Sequence, residues 1–123
     1  MPVLLAIFGV IQLLTGALLW LAPGFFYDEI GPYGPRNDHY MADLATWYLA
    51  LGVVLFVAIR RTAWRVPVLC VLVLQYALHT VNHLIDVSEA DPGWLGPADL
   101  ASLVLTTILL GWMLRTETTA AAR

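Results

Sequence analysis

Pro67-Val-Leu-Cys70-Val-Leu-Val-Leu-Gln75-Tyr-Ala-Leu-His79-Thr-Val-Asn82-His83-Leu-Ile-Asp86 reads in two halves. From Val68 to Leu74 every residue is apolar. From Gln75 onward polar residues return at positions 75, 79, 82, 83 and 86. A helix advances about 100° per residue, so these five fall in a wedge roughly 100° wide. The rest of that helix is Val, Leu, Ile, Ala and Tyr, with Cys70 and, outside the wedge, Thr80. Such a segment suits lipid on most of its circumference and reserves one narrow stripe for something polar.

Working outward, three further apolar segments flank this one. With 60% hydrophobic and 12% charged residues among 123, the chain departs on both measures from a soluble domain, which carries about 45–50% and about 25%. The expected architecture is all-α: one integral membrane four-helix bundle over residues 1–123, with helices near 3–21, 39–59, 67–87 and 97–114. Each approaches the ~20 residues that cross ~30 Å of hydrocarbon. The first segment follows Met1-Pro2-Val3, with no basic side chain, and is too long for a signal-peptide core. It reads as a retained span. Gly9, Gln12 and Gly16 share one face of it, suited to close helix packing. Pro23 to Asp38, with three Pro and three Gly, reads as the longest loop. Asn37 or Asp38 is placed to cap the second span. Pro67 and Pro97 read as first helical positions. Asp99 falls in the first turn of the last helix, with Ser102 and Thr106 on its face. Arg115 to Arg123 reads as a frayed tail.

Charge sets the expected orientation. All six basic residues are Arg, and five of them (Arg60, Arg61, Arg65, Arg115 and Arg123) fall on the side shared by the turn after the second span and the C-terminus. The positive-inside rule puts that side, and both termini, in the cytoplasm of a cell with the chain in its inner (plasma) membrane. Eight of the nine acidic residues fall toward the opposite end, which makes that mouth electronegative. No basic patch points to nucleic acid. Cys70 is the only cysteine, which excludes an intrachain disulfide and a cysteine-based metal motif; it reads as a small apolar residue inside its helix.

The chemistry sits in two groups: His39-x3-Asp43 at the start of the second span, and His79-x3-His83-x2-Asp86 on the third. Imidazoles at i and i+4 share a face and are spaced to bind one metal ion. With the second and third spans as antiparallel neighbours, these faces are expected to meet at an outward-facing site between the two helices, where His39, Asp43, His79, His83 and Asp86 form a His/carboxylate set suited to Zn or Fe and open to Cu. Gln75, Asn82 and Asp99 are the supporting or ligand-contacting residues. Three readings fit: a metal site, a metal-free polar pocket for a small amphipathic ligand, and a structural stripe that fixes helix packing. The pocket extends to a membrane enzyme, an isomerase or hydrolase of a lipid-like substrate using His/Asp acid–base chemistry. The structural stripe corresponds to an accessory subunit of a larger membrane complex, or to homo-oligomerisation. The apolar first half of the third span leaves no polar path across the bilayer, which argues against a channel.

The run Asn37-Asp-His39-Tyr-Met-Ala-Asp43, followed by an apolar helix, resembles small bacterial four-helix membrane proteins grouped as domains of unknown function. The earlier Gly16…Pro23 and aromatic run is similar too. Ala42 stands where that pattern has a basic residue. The resemblance covers about the first two-thirds of the chain. It implies a four-helix fold with His39 and Asp43 at the site, and brings no activity.

Overall fold

The computed structural model describes residues 1–122. All regular structure among them is helical: α1 (Pro2–Leu21), α2 (Pro23–Glu29), α3 (Asp38–Arg60), α4 (Arg65–Ile85) and α5 (Leu95–Ala121), with a short 3-10 turn, Thr62–Trp64, before α4. Four of these helices are long and apolar enough to cross a membrane. Leu14, Leu21, Leu84 and Ile85 are among many large apolar side chains left exposed along them, far more than water tolerates on a monomer. A multi-pass membrane protein accounts for this surface.

The chain divides into two compact units, residues 1–62 and the residues from Ala63 onward. The first is a hairpin of α1 and α3. Gly9 faces Phe56, Gly52 faces Leu13, and Gly16 faces Leu49 and the Ala45 carbonyl. Positions rise along α1 as they fall along α3, so the two run antiparallel. The small residues let the backbones close on each other, as the Gly9/Gln12/Gly16 face implied. Leu5, Leu19, Ala45, Leu55 and Ala58 are buried, and Gln12 is wholly buried on the same face. A Cβ at Gly16 would stand 2.8 Å from Leu49 Cγ and 3.0 Å from the Ala45 oxygen. Gly16→Ala is therefore expected to lower stability by about 1 kcal/mol in a detergent unfolding titration, because the Leu49 side chain has to give way.

The second unit is a hairpin of α4 and α5. Arg65 meets Glu117 and Thr80 meets Thr107, again an antiparallel order. Val68, Leu69, Leu72, Leu110 and Met113 are buried.

Several boundaries differ from the sequence reading, for local reasons. Pro23 does not break the chain but opens α2, where its missing N–H is no loss and its φ is already helical; only from Gly31 does the loop begin. Gly34 there has φ +59°, a left-handed turn position, and Tyr27 donates its hydroxyl proton to the Gly34 carbonyl at 2.6 Å. Pro67 and Pro97 are third, not first, in α4 and α5. A first-turn N–H has no helical acceptor, so proline fits anywhere in that turn. Asp99 is accordingly the fifth residue of α5, past its first turn. Asn37 does cap α3, its side chain accepting from the Tyr40 amide at 3.2 Å. Cys70 lies within α4, as expected, and is exposed.

The expected tail is the last stretch of α5. Thr116, Thr118 and Thr119 return their hydroxyl protons to the carbonyls of Trp112, Leu114 and Arg115. Glu117 is held by Arg65 at 3.4 Å, with both side chains only 15% exposed. Alanine then extends the helix at no side-chain entropy cost.

Candidate functional site

The two sequence groups lie in different units. In the first, His39 and Asp43 occupy the opening turns of α3, with Nε2 and Oδ2 3.5 Å apart and side chains 85% and 67% exposed. This is an open i, i+4 pair on the surface of its unit. Thr46, on the same face, donates to the Asp43 carbonyl at 2.7 Å and so is satisfied on its own helix. Beside this end lies a cavity of about 300 Å³ whose walls include Phe26, Tyr27, Tyr33, Arg36 and Tyr40. Arg36 is committed there: it clasps Asp38 through two hydrogen bonds of 2.6 and 2.9 Å, and that carboxylate draws its guanidinium pKa further up.

The second unit carries the row. Gln75, His79, Asn82 and His83 lie on the last three turns of α4, and Asp86 is its C-cap. At 1.5 Å per residue, Gln75 to Asp86 covers about 16 Å along the axis. The His79 and His83 rings lie with centroids 4.8 Å apart, tilted by 59°. Asn82 Nδ2 makes a long, 3.5 Å hydrogen bond to Asp86 Oδ2. The charges that act on His79 include Asp86 and, more weakly, Asp99 of α5. Asp99, on the facing helix of the same hairpin, thus contributes charge to the region of the α4 row.

Three atoms along this row are buried and, among the described residues, have no hydrogen-bond partner: Gln75 Oε1, His79 Nδ1 and Asp86 Oδ1. Buried polar atoms are nearly always paired, because an unpaired one costs about 1–3 kcal/mol. Three on one face of one helix is a concentrated deficit.

The five-residue metal set is not assembled in either unit. Among the described residues, no three His, Cys, Asp or Glu side chains stand together closely enough to hold a metal ion. The helical repeat brings the two imidazoles side by side. Asp86, however, sits where the helix ends, with one oxygen turned to Asn82.

Two pairings escaped the sequence reading. Thr80 and Thr107 hydroxyls meet at 3.2 Å across α4 and α5. Each also lies within reach of its own i−4 carbonyl, 2.7 Å for Thr80 and 2.8 Å for Thr107. An isolated Thr in an apolar helix usually satisfies itself in that way, so nothing in the sequence separated these two from Thr116. The Arg65–Glu117 pair was hidden because Glu117 read as tail.

Compared with known proteins, the chain matches no family model, no curated protein and no solved structure.

Proposed function

We propose that this protein is a multi-pass protein of the cell's inner (plasma) membrane, with both termini in the cytoplasm, and that it binds a small amphipathic ligand along the α4 row. Gln75, His79, His83 and Asp86 are its contacts; Asn82 and Asp99 support them. The observation that carries this reading is the run of buried, unpartnered polar atoms on one helix face. A ligand that satisfies them recovers the cost of burying them. The polar end of the row adjoins the acidic Ser88–Trp94 connection, where an amphipathic molecule would keep its head in water and lay its tail along apolar helix.

A second reading, a Zn, Fe or Cu site, is favoured by one observation: the neighbouring His79 and His83 rings, with the Asp86 and Asp99 charges nearby. Two imidazoles need at least one more ligand for a structural or catalytic centre. A side-chain rotation, or an exogenous ligand, would have to supply it.

Native and elemental mass spectrometry of the detergent-purified protein separate the two, with a His79→Ala/His83→Ala variant alongside. The expected result is a co-purified organic molecule that the variant loses, with at least a tenfold drop in occupancy. About one equivalent of metal lost in the variant overturns the metal-free reading in favour of the metal centre. A variant that loses only thermal stability, with nothing bound to either form, overturns both and leaves a packing stripe.

A further inference from the structure

Resting on that ligand-site reading, we infer that the ligand is an amphipathic amine: a protonated amino head with a second N–H or O–H donor a turn or two along its chain. Each unpartnered atom of the row accepts. Gln75 Oε1 and Asp86 Oδ1 are acceptors outright, and His79 Nδ1 accepts when Nε2 carries the proton. Several neighbouring donors are already engaged elsewhere. Asn82 gives its amide to Asp86 Oδ2. Ser102 gives its hydroxyl to the Asp99 carbonyl. Thr80 and Thr107 serve each other and their own helices. The three unpartnered positions are acceptors, so the molecule that fills them must bring hydrogens.

Charge points the same way. Between Arg65 and Arg115 the chain has no Arg or Lys, while it has four carboxylates: Asp86, Glu89, Asp91 and Asp99. Asp86 stands at the water end of the row and Asp99 acts on the same region from α5. An ammonium there meets opposite charge and gains charge-assisted hydrogen bonds. A carboxylate or phosphate head would meet like charge with no cation to offset it. Spacing sets the second donor. His79 lies about 10 Å below Asp86 along the axis, and Gln75 about 6 Å below His79. One amino group cannot serve all three. A long-chain amino alcohol, whose hydroxyls follow the amine, serves the row better than a plain alkylamine.

The test uses the full-length protein in one detergent with four probes of equal chain length: a dodecyl amino-diol, dodecylamine, dodecanol and dodecanoate. Occupancy is read by native mass spectrometry. The expected order is amino-diol, then amine, then alcohol, with dodecanoate at least tenfold below the amino-diol. Asp86→Asn, which keeps size and removes charge, should weaken the amino-diol at least tenfold, as should Gln75→Leu. Asp91→Asn, off the row, should leave it unchanged. Thermal unfolding in the same detergent confirms that each variant is folded. If dodecanol or dodecanoate binds as well as the amines, and still depends on Gln75 and His79, the amine assignment is overturned and the site stands. If no probe shows occupancy that depends on the row, both are overturned.

Discussion

Gly96→Ala should be among the most damaging single-methyl additions in this protein, lowering the stability of the detergent-solubilised chain by about 3 kcal/mol. Gly96 is the second residue of α5 and is buried. A Cβ there would run into the backbone carbonyl of Val87. A flexible side chain could rotate away, but a backbone oxygen cannot move without displacing the whole turn between α4 and α5. That turn runs from the Asp86 cap to Trp94 and also buries Ala90. The collision would therefore be felt at the polar row, and, if the proposed ligand site stands there, loss of its occupancy should accompany loss of stability. Two other glycines supply the control. At Gly93 and Gly111 no atom among the described residues lies within 4 Å of the position a Cβ would take. Gly111 is mid-helix, so Gly111→Ala should stabilise by about 0.5–1 kcal/mol through helix propensity. Gly93→Ala should be neutral or slightly stabilising. The same substitution at three glycines should thus change sign with position. Equal effects at all three, in a chemical unfolding series, would refute the close approach at Val87.

Arg65→Met should cost about 2 kcal/mol, and Glu117→Leu a similar amount, while the double variant should recover most of the loss. The two side chains are only 15% exposed and their charged atoms are 3.4 Å apart. Removing one leaves the other's charge partly buried without its counter-charge, which is costly. Replacing both by apolar groups removes the desolvation penalty together with the attraction. The coupling is read from a double-mutant cycle on unfolding midpoints. Additive losses would mean the pair is no more than a surface contact. Since Glu117 sits seven residues past Leu110, in the final stretch of α5, the cycle also reports whether that stretch is ordered in solution.

The fold class was written in the apolar segments themselves. Runs such as Val68 to Leu74, with nothing to hydrogen-bond lipid, force the backbone to satisfy itself, and a helix does that locally. The cap at Asn37 and the small-residue face of α1 were readable for the same reason: a cap needs three neighbouring residues, and a face needs only the helical repeat. The differences are also local: by sequence, proline reads as a stop at position 23 and as a strict first residue at 67 and 97, although an entire first turn tolerates it.

Sequence determined, then, what one helix decides alone: four helices long and apolar enough to cross a membrane, and Gln75, His79, Asn82, His83 and Asp86 on a single face, because 3.6 residues per turn is fixed by the backbone. Only the tertiary structure decided which of those atoms are buried without partners, that Thr80 finds Thr107 and that Glu117 finds Arg65. Those outcomes depend on which face α4 turns toward α5. That rotation is set by packing across the pair, by Leu69 and Leu72 together with Leu110 and Met113, and no single helix carries the information.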